Sequence, residues 1–511
     1  THNSFGQVAK VTDPYGTTSY EYGAVTGQGS TEFRGLPTRM RVSDHGASGT
    51  EGVYEAVYDR YGNLASQLMP GGITQRQDYD EDSRRMGLSY EGPVTKADGT
   101  TGTATWVGWG LTRDATGRIT GENAPETVTA ATAGQQATQR GYTYDQAGRL
   151  TKVADAATGE SRQYTFDASG NRTSLTTVGK DGKSSTRSWT WDAADRMSTP
   201  GYVFDGLGRA TTIPASDAPQ GLETSASPAA GSAPITLGYY DTDAAASITR
   251  GSTTTTLSLD AAGRRHNQTT GTTVVKNGYV DDSDNPGFST TTTGAGEPVV
   301  SRYINALGGD LAVRIEGSSA TLSLANPHGD VVGEVNITTT AMASAGLSEW
   351  TTYDEYGNAT RLAPSAVGNT YRWHGADQRV VAGAGLILMG ARLYNPATGQ
   401  FTTRDPVRGG NTTPYSYPQD PVNSHDISGL FAPLVWLGIR VGIQVCKRYC
   451  VRAATSAWSR VKHFANHNNY LRIGPTAPGS PFRISFGVHK KHWHTLPKPI
   501  RMVWRLSLIH I

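Results

Sequence analysis

The sequence has little cysteine and no long apolar run. Only Cys446 and Cys450 occur among 511 residues, so a framework of several disulfides is excluded. A stretch of about 18 consecutive apolar residues, the usual minimum for a membrane-spanning helix, does not occur. Hydrophobic residues make up only 36% of the chain, and Gly fills 61 positions. Since glycine usually accounts for about 7% of residues, this composition favours many short strands joined by turns.

Both ends of the sequence look atypical. The chain begins at Thr1 without Met or a hydrophobic leader, so we interpret it as a fragment that lacks its native N-terminus. The final residues, Leu506–Ile511, read LSLIHI and resemble a translated sequencing adapter. We therefore expect residues 506–511 to be non-native and the last domain to be cut short.

Acidic residues are absent from the last part of the chain. Residues 431–511 contain 13 Lys and Arg and no Asp or Glu. Residues 1–430 contain 33 Lys and Arg against 44 Asp and Glu, a net charge of −11. We call these parts the body (1–430) and the basic tail (431–511), and the charge asymmetry predicts two different roles for them.

A short pattern recurs along the body. It reads aromatic–x–aromatic–Asp–x–x–Gly–Asn/Arg, for example YTYDQAGR from Tyr142 and YTFDASGN from Tyr164. The pivotal aspartates are Asp59, Asp145, Asp167, Asp192, Asp205, Asp260 and Asp354. Alternating aromatics share one face of a strand, Asp can accept backbone N–H bonds in a turn, and Gly suits a positive φ. Each unit is therefore predicted to be a β-hairpin, and the hairpins must stack because one alone is marginally stable.

Residues 1–366 offer no recognisable catalytic or metal-binding motif. We expect a repetitive β scaffold there, interrupted by loops over 124–139 and 213–236. The scattered histidines of this region are interpreted as surface or hairpin residues and not as ligands; they are His2, His45, His266 and His328.

The repeats resemble the YD repeats of Rhs and teneurin-type proteins. Residues 385–430, GLILMGARLYNPATGQFTTRDP through HDISGL, resemble the Rhs core signature. The resemblance implies a mainly β fold in which YD-repeat hairpins (1–366) spiral into a hollow shell around a variable C-terminal toxin. A core-associated segment (367–430) would close the series. Because related shells have more repeats, we expect this shell to be incomplete, followed by a small α+β domain (431–511).

The resemblance also implies self-cleavage. It places two catalytic carboxylates at Asp405 and Asp426, a supporting cation at Arg404, and the cut between Leu430 and Phe431. Two buried carboxylates brought together would share a proton, as in an aspartic protease. The alternative is that both aspartates only cap turns, as they do in the repeats. Two positions depart from the family pattern, since Asp420 replaces the usual Asn and Ile427 the usual Pro.

The basic tail carries the candidate effector residues. Apolar residues from Val435 to Cys450 recur at helical spacing, and 482–496 alternates like a strand. Thirteen positive charges predict binding to polyanions. The histidines could transfer protons and the basic residues could hold phosphate, as in a metal-independent nuclease; the candidates are His463, His467, His489, His492, His494, Lys490, Lys491 and Arg483. No metal or cofactor is predicted. Other toxic chemistry, simple binding and membrane action remain open for this tail.

Two functions from different classes fit the sequence. The first is a secreted or surface-located toxin that encloses and releases its own tail in bacterial competition, with a cognate immunity protein and a nucleic-acid target as further partners. The second is a structural or adhesive cell-surface protein without enzymatic activity.

Overall fold

The structure is a computed structural model that describes most of the body. The described residues are 1–430 without 24–31, 33, 47–48, 96–98, 130–131, 134–136, 220–232, 345–346, 348–349, 362–369 and 408, together with 471–474 and 483–486. The chain divides into two compact units, Thr1–Pro433 and Leu434–Ile511.

Two large antiparallel sheets make up most of the first unit. In each sheet, hydrogen-bonded neighbours follow one another along the chain. The first sheet has 14 strands: β1 (Lys10–Asp13), β2 (Gly16–Tyr22), β3 (Pro37–Ser43), β4 (Glu51–Tyr58), β5 (Leu64–Met69), β6 (Ile73–Tyr79), β7 (Arg85–Thr95), β8 (Thr101–Arg113), β9 (Ile119–Ala124), β12 (Thr138–Tyr144), β13 (Leu150–Asp155), β14 (Ser161–Phe166), β15 (Arg172–Val178) and β16 (Ser184–Ser188). The second has 12: β17 (Val203–Phe204), β18 (Ala210–Ile213), β19 (Ile235–Tyr239), β20 (Ala245–Arg250), β21 (Thr253–Leu259), β22 (Arg265–Thr270), β23 (Thr273–Gly278), β24 (Phe288–Thr293), β25 (Val299–Asn305), β26 (Leu311–Glu316), β27 (Ser319–Ala325) and β28 (Val331–Asn336).

Smaller elements complete the described residues. Three pairs and one four-stranded sheet occur: β10 (Val128–Thr129) with β11 (Thr132–Ala133), β29 (Thr352–Tyr353) with β30 (Ala359–Arg361), β35 (Leu471–Gly474) with β36 (Arg483–Phe486), and β31 (Val380–Gly383), β32 (Leu386–Met389), β33 (Arg392–Asn395) and β34 (Gln400–Phe401). One α-helix, α1 (Thr340–Ala343), and 3-10 turns at Pro70–Gly72, Ala215–Asp217 and Gly375–Asp377 interrupt the strands. No helix in the described part of the chain is long and apolar enough to cross a membrane. The mainly β prediction is therefore confirmed.

The predicted turns form as the repeat chemistry requires. In the unit from Tyr142, the carboxylate of Asp145 accepts backbone N–H bonds from Ala147 at 3.0 Å and Arg149 at 2.9 Å, while Gly148 has φ +82°. In the unit from Trp189, Asp195 replaces the glycine and adopts φ +58°. Aspartate tolerates the left-handed region better than most residues, so the turn survives this substitution.

The last residue of the repeat has a role that the sequence pattern did not reveal. Nε of Arg149 returns to Asp145 at 2.6 Å, and the guanidinium lies 5.1 Å from the ring centre of Phe166 in the next hairpin. The same pairing of turn aspartate and neighbouring aromatic recurs for Arg209, which contacts Asp205 at 2.6 Å and lies over Tyr239 at 5.2 Å. In these two units the arginine therefore joins the turn to the following unit through an ion pair and a cation–π contact.

Alternating burial places the core between the sheets. Strand β3 buries every second residue, and Met40 from it packs in one cluster with Trp106 of β8 and Leu322 of β27. Strands from both large sheets thus bury their apolar faces together, as stacking of individually marginal hairpins requires.

The core-associated segment packs into both large sheets. Trp373 and Tyr394 share a cluster with Tyr164 of β14, while Leu386 of β32 packs with Ile248 of β20. Trp373 is 1% exposed, so its replacement by Ala would cost about 3–5 kcal/mol. This anchoring fixes the position of the segment that carries Asp405 and Asp426.

Several predictions concern connections between strands or stretches outside the described residues. The two expected loops lie between β9 and β12 and between β18 and β19, although the first contains the β10–β11 hairpin. The expected strand over 482–496 includes β36, which pairs with β35 from Arg483 opposite Gly474. The helix expected over 435–450 lies outside the described residues, and the 366/367 boundary stays a prediction.

Candidate functional site

A buried arginine lies at the centre of the candidate site. Arg392 begins β33, and its side chain is 2% exposed. Its guanidinium lies 3.7 Å from the ring centre of Phe401 in β34. Nη1 donates to the carbonyl of Pro414 at 3.3 Å. The hairpin β33–β34 therefore presents a fixed cation to the irregular residues that follow it.

This arginine joins the two predicted catalytic carboxylates. Nη2 of Arg392 donates to Oδ2 of Asp405 at 3.0 Å and to Oδ2 of Asp426 at 2.9 Å. The carboxylate side chains are 3% and 0% exposed. Residues 21 positions apart in the sequence thus share one nitrogen, and the cation offsets the repulsion expected between two buried negative charges.

Asp405 and Asp426 differ from two carboxyl groups that share only a proton, because a cation lies between them. Burial raises the pKa of Asp405, Arg392 opposes that rise, and Asp426 adds to it. Burial also lowers the pKa of Arg392, because desolvation outweighs the two carboxylates. The sequence missed Arg392, although it lies in the GARLYNP stretch of the Rhs-like signature.

Asp426 also holds the residue before the predicted cut. Its Oδ1 accepts from the backbone N–H of Leu430 at 3.0 Å and from Oγ of Ser428 at 3.3 Å. Its Oδ2 accepts from Nδ2 of Asn411 at 3.2 Å. The DISGL sequence therefore folds as a turn around the Asp426 carboxylate, with Leu430 38% exposed at its end.

Close backbone contact docks this turn onto β32 and β33. The N–H of Ala391 donates to the Ser428 carbonyl at 3.0 Å. Gly390 and Gly429 have φ of +50° and +66°, and a β-carbon at either would collide with the opposing backbone. Glycine is required on both sides because the two chains approach too closely for a side chain.

The position of the usual proline is held by another arginine. Nη1 of Arg379 donates to the carbonyl of Ile427 at 3.0 Å and pairs with Asp284 at 2.6 Å. A carbonyl accepts this bond whether the residue is Ile or Pro, so the departure at Ile427 leaves the docking contact intact.

Arg404 does not lie where the sequence suggested. Its side chain is exposed beside Gly208 and Tyr415, and the guanidinium that contacts both carboxylates is that of Arg392. The expectation that Arg404 supports the carboxylates is corrected accordingly. The next residue, Asp405, turns inward and contacts Arg392. The side chains of Arg404 and Asp405 therefore face opposite directions.

The remaining predicted site residues lie beyond the described part. Phe431, the residue after the predicted cut, is not described. The same holds for the effector candidates His463, His467, His489, Lys490, Lys491, His492 and His494. Arg483 is placed only as the first residue of β36.

The structure brings together three histidines that the sequence did not connect. His328 follows β27, His374 precedes the Gly375–Asp377 turn, and His425 adjoins Asp426. Their potential ligand atoms lie within 4.8 Å of one another. We call these three residues the histidine cluster. They are separated by dozens of residues, so no local spacing could have identified them.

The other expectations about histidine are met in part. His2 and His266 are exposed, as predicted. His45 and His328 do follow hairpin strands, but His45 is buried, with 4% exposure, and His328 is partly buried. Burial is possible because each ring is hydrogen-bonded, His45 to the Tyr54 hydroxyl at 3.1 Å and His328 to Asp330 at 2.9 Å.

Comparison with known proteins supports the repeat and the fold. Residues 144–181 match the RHS Repeat family. These residues cover β13, β14 and β15 together with the two Asp-centred turns at Asp145 and Asp167. No curated protein matches the chain significantly in sequence.

Two crystal structures of toxin components share this fold. The structure of TcdB2-TccC3-Cdc42 matches with a TM-score of 0.66 and 16% identity over 84% of this chain, and that of TcdB2-TccC3 with 0.66 and 17% over 84%. The match covers 21% and 22% of those chains, so this sequence spans about a fifth of their length. The chain therefore carries an RHS repeat on a fold like part of TcdB2-TccC3.

Proposed function

We propose that this chain is the C-terminal part of an Rhs-type toxin. In this proposal the body encloses the basic tail and cuts the chain after Leu430, which frees the tail as an effector. The resemblance of repeats and signature to Rhs proteins supports the proposal, and so does the likeness in fold to TcdB2-TccC3. Secretion, bacterial competition and a cognate immunity protein belong to the same proposal.

One observation carries the cleavage step. Asp426 accepts a hydrogen bond from the N–H of Leu430 at 3.0 Å and shares Arg392 with Asp405. A carboxylate within hydrogen-bond distance of the residue to be cut, with a second carboxylate nearby, is the arrangement that general acid–base catalysis needs.

We assign the two carboxylates different roles. Burial raises the pKa of Asp405, which favours its protonated form as the acid that donates to the Leu430 carbonyl oxygen. Asp426 acts as the base and takes a proton from water as the water oxygen attacks the carbonyl carbon. When the tetrahedral intermediate collapses, the C–N bond to Phe431 breaks and Asp426 gives the proton taken from water to the departing nitrogen. One hydroxyl of the intermediate returns a proton to Asp405. The products are a carboxyl group on Leu430 and an amine on Phe431.

The proposed effector acts on nucleic acid. The basic tail has 13 Lys and Arg and no Asp or Glu, and before residue 506 it contains five histidines that could transfer protons. Its positive charge also complements the body, whose net charge is −11. Charge complementarity would favour retention of the tail by the body before release.

Denaturing electrophoresis of the purified chain tests the cleavage. We expect two polypeptides, with the smaller beginning at Phe431, and we expect Asp405→Asn or Asp426→Asn to slow cleavage by about 10²-fold or more. Asp420→Asn is a matched control, because Asp420 lies in the same segment but bonds to Asn423 instead of Arg392. An intact wild-type chain, or equal cutting in the Asp426→Asn variant, would favour the adhesive function.

A separate assay tests the effector. Residues 431–511 are expressed in bacteria, and total RNA and plasmid DNA are examined after induction. Degradation of either, lost when His492 and His494 are both replaced by Ala, is the expected result. Arrested growth with intact RNA and DNA would overturn the nuclease assignment without affecting the cleavage proposal.

A further inference from the structure

The histidine cluster adjoins the Arg392 site, since His425 precedes Asp426 and the Tyr417 hydroxyl contacts both His374 and the backbone N–H of Asp426. Ring centres are 4.4 Å apart for His328 and His374, 5.1 Å for His328 and His425, and 5.2 Å for His374 and His425. Three imidazoles bound to one ion at about 2.0–2.1 Å per nitrogen in tetrahedral geometry have ring centres about 5 Å apart. Two of the three separations agree with this spacing, and the third is slightly shorter.

One ring nitrogen of His374, Nδ1, lies 4.0 Å from Oδ2 of Asp377, beyond hydrogen-bond distance. The residue is 0% exposed, and its Nε2 lies 2.9 Å from the Tyr417 hydroxyl. Its Nδ1 has no hydrogen-bond partner among the described residues. A buried imidazole nitrogen without a partner is costly unless something binds it.

His328 is oriented as a metal-binding histidine usually is. Its Nδ1 lies 2.9 Å from Oδ1 of Asp330, and that carboxylate also accepts the backbone N–H of His374 at 3.1 Å. A carboxylate behind one ring nitrogen fixes the ring and strengthens the other nitrogen as a ligand. Asp330 therefore supports two members of the histidine cluster.

We propose that His328, His374 and His425 bind one divalent zinc-class ion. Three imidazoles suit Zn²⁺ among the common divalent ions, whereas Mg²⁺ and Ca²⁺ prefer oxygen ligands. The site has a structural consequence, because it ties the β27–β28 turn and the segment before β31 to the residue adjoining Asp426. Binding of the ion would hold the DISGL turn in place.

To bind a metal ion, His328 must give up one of its two hydrogen bonds. Its Nε2 lies 2.9 Å from the carbonyl of Pro421, so binding through this nitrogen replaces one hydrogen bond and displaces a proton. In the competing state no metal is bound, and a protonated His328 keeps both hydrogen bonds. Burial opposes the protonated form, but Asp330 favours it and raises the pKa of His328 to about 9. The experiment distinguishes these two states.

The test measures metal in the full chain carrying Asp405→Asn, which keeps the sample uncut and makes the result independent of self-cleavage. The protein is treated with a chelator, incubated with Zn²⁺ or Co²⁺, desalted and analysed for bound metal. We expect about one ion per chain and, with Co²⁺, the intense visible absorption of tetrahedral coordination. His374→Gln and His425→Gln should each reduce metal affinity at least about 10-fold.

His45→Gln is the matched control, since His45 is also buried and hydrogen-bonded to a tyrosine but lies outside the histidine cluster. It should retain the metal. Because His425 is only partly buried, its variant remains informative if His374→Gln fails to fold. Less than about a tenth of an ion per chain in the parent protein, or equal binding by the His425→Gln variant, would overturn the proposal.

Discussion

Replacement of Arg392 by Met tests how the buried carboxylates are held. Methionine keeps the unbranched apolar stem of the side chain but removes the guanidinium, and with it the cation and the cation–π contact with Phe401. The guanidinium is 2% exposed and bonds to two carboxylates at 3.0 and 2.9 Å. Breaking a buried ion pair costs about 3–5 kcal/mol, because the uncompensated charges stay buried. We expect Arg392→Met to lower the free energy of unfolding by about that amount at neutral pH.

The decrease in the free energy of unfolding caused by Arg392→Met should depend on pH. Burial raises the pKa of Asp405, and without Arg392 the largest contribution that opposes this rise is lost, leaving only the hydrogen bonds from Val407 and Asn411. A carboxyl whose folded pKa exceeds its unfolded value stabilises the fold when protonated, and that stability is lost as the pH rises through the folded pKa. The difference between Arg392→Met and the parent protein should therefore shrink as the pH is lowered toward about 4.

Urea unfolding followed by tryptophan fluorescence measures both effects. The same substitution is also made in a chain with Asp405→Asn and Asp426→Asn, where it should cost much less because no carboxylates remain to be left unpaired. Arg209→Met is a control that should cost much less, since Arg209 and Asp205 are more exposed, at 17% and 24%, and water screens their ion pair. Equal losses in the two backgrounds within about 0.5 kcal/mol would refute the bridging role of Arg392.

Three further predictions concern other parts of the body. Burial lowers the pKa of His45 to about 4, so the free energy of unfolding should fall by roughly 3 kcal/mol as the pH drops from 6.5 toward 4. Urea unfolding of the His45→Gln variant should lack this pH dependence. Gly263→Ala should lower the free energy of unfolding by about 1–2 kcal/mol, because φ is +78°, whereas Gly206→Ala, in a similarly open position, should be nearly neutral. Gly429→Ala should slow self-cleavage, because its β-carbon would displace the DISGL turn from the Met389 carbonyl; unchanged cleavage on a denaturing gel would contradict that docking.

Local chemistry explains how much of the fold was predictable. The Asp–x–x–Gly turn depends on hydrogen bonds within five residues, so Asp145, Gly148 and their equivalents could be assigned from sequence. The contact from Arg149 to Phe166 crosses from one hairpin to the next and depends on how hairpins stack, which the pattern does not specify. The division into two large sheets depends on such long-range packing as well.

The candidate site was predictable only in part for the same reason. Asp405 and Asp426 came from an ordered signature that resembles a known family, whereas the closeness of Arg392 to both requires the β33–β34 hairpin. Arg404 was favoured because it adjoins Asp405, but neighbouring residues in extended chain point in opposite directions. The histidine cluster joins three distant segments, and each histidine by itself resembles an ordinary turn or core residue.

The most direct test of the account is the intact mass of the freshly purified chain under denaturing conditions. Self-cleavage by Asp405 and Asp426 predicts two masses that sum to the mass of the chain plus one water, with the smaller species starting at Phe431. The Asp426→Asn variant should give a single uncut chain of 54.4 kDa. A single uncut wild-type chain, or cleavage at a position other than Leu430–Phe431, would contradict the claim that Asp405 and Asp426 form a self-cleavage site.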